Sequence, residues 1–147
     1  MIKAVFDANL LVSAFLSRAN PAGASNALLG FVVGGAVELY LSVEIVDEAM
    51  EVLLDSPRLS ARYDYSPEQV GQYRADLLTL AAVIDDPPPT PGAVPRDPDD
   101  DKIVACAVAA GAEYIVSRDH DLLSVGSYRG VTILTPEAFL RIARQQP

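Results

Sequence analysis

Apolar residues in this chain come in short blocks whose spacing switches between a strand period and a helix period. The first block, Ile2 to Phe6, is short, partly β-branched and aromatic, and stops at Asp7 and Asn9. Such a run reads as a buried strand of a parallel sheet. Leu10 to Leu16 and Ala22 to Val33 read as helices, the second ended by Gly34–Gly35, and Val37 to Leu41 as the next strand. Ser42 caps a helix from Val43 to Leu54, where Ile45, Val46, Ala49, Met50, Leu53 and Leu54 keep helical spacing. Ser56–Pro57 stops it. Ser66–Pro67–Glu68 opens another helix with proline at its first position. Its buried face is marked by Val70, Tyr73, Leu77, Leu80 and Ile84, although Val83–Ile84 fits a short strand equally well.

From Pro87 to Pro98 the chain holds six prolines and predicts a loop. Asp99 to Ala110 predicts a helix that ends at Gly111. Tyr114 to Val116 and Val131 to Leu134 are the remaining strands, and Thr135–Pro136–Glu137 opens a C-terminal helix. Strands alternating with helices predict one domain over residues 1–147. Its expected fold is a three-layer α/β/α sandwich around a mainly parallel sheet of four or five strands.

Composition narrows the chemistry. Twenty acids against 11 Lys and Arg give a formal charge of −9, the wrong overall sign for a phosphate-binding surface unless bound cations or a local basic rim offset it. One cysteine, Cys106, excludes an internal disulfide, and with a single histidine it makes nitrogen- and sulfur-rich metal sites a poor fit. Hard oxygen ligands remain. No secretory leader and no membrane span are expected, and the cytoplasm is the expected compartment.

The acids fall in four stretches. Asp7 ends the first strand, where open α/β sheets bind ligands, yet Asp7 or Asn9 would also serve as a cap for the helix that follows. Glu44, Asp47, Glu48, Glu51 and Asp55 form the polar side of the Ser42 helix, a pattern that a solvated face explains. Asp97 to Asp101 precede a helix that is apolar nearly all round. One acid would suffice there as a cap, but Asp100 shares the face of Ile103, Val104 and Ala107, and an inward carboxylate needs a partner. Ser117–Arg118–Asp119–His120–Asp121 follows the strand Tyr114 to Val116, with Asp119 placed as Asp7 is and Asp121 available to cap a helical turn. His120 reads as a surface residue. In a parallel sheet Asp7 and Asp119 share one edge, and the helix of Asp100 starts near it. Carboxylates that converge repel unless a cation holds them, and an all-oxygen set suits Mg²⁺ or Mn²⁺.

Four pieces occur in order: Val-Phe-Asp-Ala-Asn-Leu-Leu-Val-Ser-Ala, Leu-Ser-Val-Glu-Ile-Val-Asp-Glu, Asp-Pro-Asp-Asp-Asp-Lys-Ile-Val-Ala-Cys-Ala and Ser-Arg-Asp-His-Asp-Leu-Leu. Together they resemble the PIN domain family, and most of all the VapC-like toxins of toxin–antitoxin pairs. The resemblance implies a PIN-like fold and a Mg²⁺- or Mn²⁺-dependent endoribonuclease. RNA would be its substrate, and a cognate antitoxin its protein partner, with a homodimer among the assemblies it allows and no membrane. It selects Asp7, Glu48, Asp100 and Asp119 as the catalytic acids, with Asp7, Asp100 and Asp119 as metal ligands. Glu48 is chosen by resemblance, not by periodicity. Asn9 and Ser117 are the expected supporting donors, Ser117 standing where many relatives carry Thr. Within the acidic run Asp101 is the alternative third acid, and Asp97 and Asp99 fit less well. Arg18, Lys102 and Arg118 lie near the motifs, as surface cations or phosphate-steering groups. An inactive PIN-like module acting through a protein partner is the rival reading.

Overall fold

Strand β1 (Ile2–Phe6) owes its place to residues that are apolar toward both faces: Ala4, Val5 and Phe6 are all at most 1% exposed. Successive strand residues point to opposite sides, so both sides of β1 are covered. The structure is a computed structural model and describes residues 1–146. Beside β1 lie β2 (Val37–Ser42) and β4 (Tyr114–Val116), both parallel to it. The sheet continues to β3 (Ala82–Ile84) on one side, and to β6 (Val131–Leu134) and β5 (Ser127–Tyr128) on the other. The strand order is β3-β2-β1-β4-β6-β5, with β5 alone antiparallel.

The chain first builds outward from β1 through β2 to β3, then returns to place β4 on the other flank of β1. That reversal is the switch point at which the carboxyl ends of neighbouring strands open a crevice. Phe6 is in register with Val116, and the Asp7 N–H donates to the Val116 carbonyl at 3.2 Å. The residues that follow the two strands, Asp7 and Ser117, are therefore adjacent.

Eight α-helices connect and cover the described strands. α1 (Ala8–Leu16) and α2 (Ala24–Val33) lead from β1 to β2. α3 (Val43–Leu54), α4 (Pro57–Tyr63) and α5 (Pro67–Leu80) lead to β3. α6 (Asp101–Ala110) enters β4, α7 (His120–Val125) follows it, and α8 (Pro136–Arg144) closes the described chain. Phe139 of α8 is fully buried and meets the ring edges of Phe6 and Tyr114, which fastens α8 to the middle of the sheet. Cys106 lies fully buried in α6, as a small core residue, and burial pushes its thiol up to about 12.

The sheet has six strands where the apolar pattern predicts four or five. Ser127–Tyr128 is too short to show a period, and it pairs with β6 through a two-residue turn in which Arg129 and Gly130 both take positive φ. The Val83–Ile84 alternative resolves as strand, since α5 stops at Leu80. Ser56–Pro57, read as a stop, is also a start: Ser56 caps α4 and Pro57 takes its first position. No residue of α4 is fully buried and Leu59 alone packs partly against the core, too little for periodicity to reveal. The acidic run does not enter an α-helix at Asp99. It makes a 3-10 turn, Pro98–Asp100, and α6 begins at Asp101.

Asp101 has a structural task. Its Oδ1 accepts from Val94 N at 2.7 Å and its Oδ2 from Gly92 N at 3.1 Å, while its carbonyl accepts from Thr90 Oγ1 at 3.2 Å. The proline-rich loop is thus clamped to the start of α6, with Thr90, Ala93 and Val94 buried beneath it. Asp101→Asn offers one acceptor oxygen for two donors and turns an NH₂ group toward the other. Urea unfolding is expected to show a loss of about 1–3 kcal/mol, with the circular dichroism of the folded state unchanged. A loss under about 0.5 kcal/mol would mean that the buried loop residues hold it without the clamp.

Candidate metal centre

Asp7 terminates β1 and caps α1, its Oδ1 accepting from Leu10 N at 2.9 Å. The side chain is only 3% exposed, and its second oxygen accepts from the Ser117 hydroxyl. Ser117 is itself fully buried and also accepts from Asp119 N at 2.8 Å. One hydroxyl therefore ties the end of β1 to the turn that carries Asp119. By sequence Asp121 is available to cap the following turn, but Asp119 is the cap of α7, its Oδ1 accepting from Asp121 N at 3.2 Å.

Asp100 reaches the same edge from the other direction. Its Oδ2 is buried and accepts no hydrogen bond. One carboxylate oxygen each from Asp97, Asp100 and Asp119 lie within 4.8 Å of one another. No ion pair among the described residues involves Asp7, Asp97, Asp100 or Asp119. The Asp100 carboxyl is pushed up to about 8, first by burial, then by a hydrogen bond to Asp119 that only a protonated Asp100 can donate, and by the charges of Asp119, Asp97 and Glu48. Burial also raises Asp7, against the lowering by Ser117 and the Leu10 amide, and Asp119 and Glu48 add to the rise. An orphaned buried oxygen in a group of mutually repelling carboxylates is the environment that a hard divalent cation relieves, so the residues present fit such an ion.

The remaining candidates separate. Glu48 projects from α3, half-buried, and pairs with Lys102 Nζ of α6 at 3.2 Å. It is close enough to raise Asp7 and Asp100 by its charge. Its helix neighbour Asp47 turns away to Arg74 at 3.2 Å, as a solvated face requires. Asn9 is exposed and makes no hydrogen bond to these acids among the described residues. Ser117 does make such contacts. Asp101 faces the proline-rich loop. His120 is exposed.

The three nearby cations are already engaged. Arg18 lies over the Phe15 ring at 4.3 Å and donates to the Phe15 carbonyl. Lys102 holds Glu48, and Arg118 forms a two-pronged pair with Glu137 at 2.9 and 2.5 Å. Asp97, which the sequence reading placed below Asp100 and Asp101, lies in this group of acids. The signal that would have raised it is Asp-Pro-x-Asp, because a turn opened by proline brings residues three apart onto one side.

Comparison with known proteins follows the same lines. A family profile described as a PIN domain matches residues 3–121. No curated protein matches the chain. The crystal structure of PAE2754 from Pyrobaculum aerophilum is similar in fold, with a TM-score of 0.61, 19% identity, and coverage of 99% of this chain and 91% of that one. That of VapBC2 from Rickettsia felis, bound to a DNA fragment from their promoter, gives a TM-score of 0.60 at 12% identity, covering 91% of this chain and 98% of that one.

The raised carboxyls predict a pH dependence. A carboxyl whose value rises on folding holds its proton more tightly in the native state, so its contribution is complete below the ordinary acid range and is lost as pH rises through the folded value. With chelator present, the melting temperature should fall as pH rises from about 5 through the Asp100 value of about 8. Asp100→Asn should flatten the upper part of that curve. A wild-type curve no steeper than the variant's between about pH 6 and 8 would show that the carboxylates do not interact as the geometry implies.

Proposed function

The chain belongs to the PIN domain family, and from its site we propose that it is a divalent-metal-dependent ribonuclease hydrolysing RNA phosphodiester bonds. One observation carries the reading: Asp97 and Asp100 of one stretch meet Asp119 of another at the carboxyl edge of the sheet, with a buried Asp100 oxygen left without a donor among the described residues. A structural cluster would be expected to include a Lys or Arg, and among the described residues none pairs with these acids.

Asp7, Asp100 and Asp119 are the proposed ligands. A Mg²⁺ or Mn²⁺ ion bound there would supply an activated water and stabilisation of the leaving oxygen. Ser117 sets the orientation of both flanking acids, donating to Asp7 and accepting from the Asp119 amide. Glu48, steadied by Lys102, stands at the edge of the cluster, where its carboxylate orients water. Arg118, exposed and held by Glu137 beside Asp119, can exchange that partner for a substrate phosphate. Because the chain carries −9 overall, RNA would be held by these few groups and the cation, not by a general positive field.

For the biological setting, we propose the toxin of a toxin–antitoxin pair, restrained by a cognate antitoxin protein. That proposal rests on the ordered motif set, and the fold shared with VapBC2 of R. felis is compatible with it.

Single-stranded RNA incubated with Mg²⁺ or Mn²⁺ should be cleaved, and EDTA should stop the reaction. Ser117→Ala removes a supporting contact and should cost about 10–100-fold in rate. Asp7→Asn keeps the cap to Leu10, turns an NH₂ group toward the Ser117 hydroxyl and loses a ligand charge, so it should cost more rate than Ser117→Ala while circular dichroism shows the fold retained. Cleavage that survives EDTA, or an Asp7→Asn variant as active as wild type, would sink the proposal.

A further inference from the structure

Asp97 is placed by backbone geometry that its neighbours impose. Pro98 disfavours helical backbone in the residue before it, and Asp97 is extended at φ −148°, ψ 92°. The 3-10 turn then begins, closed by Asp100 N donating to the Asp97 carbonyl at 3.0 Å. With three residues per turn, side chains three apart lie nearly in line. Asp97 and Asp100 are thereby stacked on one side of the turn, facing Asp119 across the edge of the sheet.

The carboxylates of the region differ in what they have left to give. Both oxygens of Asp7 already accept hydrogen bonds, from Leu10 N and from Ser117. Glu48 is drawn toward Lys102. Asp101 is spent on the loop amides of Gly92 and Val94. Asp97 uses only Oδ1, which accepts from Asp99 N at 3.2 Å, and its Oδ2 makes no hydrogen bond among the described residues. Together with Asp119 and the orphaned Asp100 Oδ2, it completes a set of oxygens within 4.8 Å that lacks any neutralising cation. A capping role alone requires one acceptor, which Ser or Asn supplies as well as Asp. It does not explain a second anionic oxygen beside two other carboxylates, where the repulsion is a cost.

We propose that Asp97 is a direct ligand of the divalent cation, alongside Asp100 and Asp119. The proposal rests on the metal-dependent reading above and adds to it a residue outside the four acids that the motif set selects. It makes Asp-Pro-x-Asp the sequence device that delivers two ligands from one turn.

Mn²⁺ binding to the RNA-free protein, followed by isothermal titration calorimetry, tests it. Asp97→Asn and Asp97→Ser each keep a capping acceptor for Asp99 N and remove the charge, so both should fold and bind Mn²⁺ at least about tenfold more weakly than wild type. Asp99→Asn, changed at the neighbouring exposed position, should bind as wild type does. If both Asp97 variants bind as tightly as wild type while Asp100→Asn does not, Asp97 is a cap only and the proposal falls alone. If wild type takes up no Mn²⁺, or Asp100→Asn binds it unchanged, the metal-dependent reading falls and this one with it.

Discussion

The hydroxyl of Ser117 donates to Asp7 and accepts from the amide of Asp119, and this small relay depends on the parallel pairing of β1 with β4. A shift of one residue in that register would turn Ser117 to the other face and separate the two acids. The register is held because Phe6 and Val116 are partners with both faces of their strands buried, so a slip would move apolar side chains away from the helices that cover them. Core packing and site geometry are therefore one constraint. The contact of Phe139 with Phe6 and Tyr114, on the side chains just before the site, serves both.

Against that scaffold the site works at a loss. Bringing Asp97, Asp100 and Asp119 within 4.8 Å, with Asp7 buried behind them, confines several acids where water screens them poorly. The consequence is visible in Asp100, pushed up to about 8, and in Asp7, raised from its ordinary value, with burial the leading cause in both. Stored repulsion of this kind is common at functional sites and is tolerated because the surroundings over-determine it. Here the surroundings are the capping bonds of Asp7, the Ser117 hydroxyl and the 3-10 turn at Pro98.

The acids that flank the cluster show how the same residue type divides between tasks. Asp101 faces the loop and is consumed by two amides, Asp47 by Arg74, and Glu137 by Arg118. Lys102 supplies Glu48 with a counter-charge from α6, the helix that follows the 3-10 turn carrying Asp100. A chain with 20 acids thus leaves few of them free to converge, and those few lie at strand ends or in a turn rather than on helix faces.

Much of this was determined by the sequence itself. Apolar blocks marked β1, β2, β4 and β6, helix caps at Ser42, Ser66 and Thr135 are local signals, and the acids that follow β1 directly and β4 after two residues come from strand ends that residues alone define. What has no local period stayed hidden: α4, with no fully buried residue, and β5, two residues long. The division of labour within Asp97 to Asp101 was also beyond local reading. An α-helix begun at Asp99 turns Asp100 and Asp101 about 100° apart, but says nothing of a loop waiting for Asp101 or of the 3-10 turn that aligns Asp97 with Asp100. Periodicity registers only which side of an element is apolar. Which carboxylate finds an amide, a lysine or another carboxylate depends on groups distant in the chain, as Asp7 and Ser117 are, and only tertiary packing brings those together.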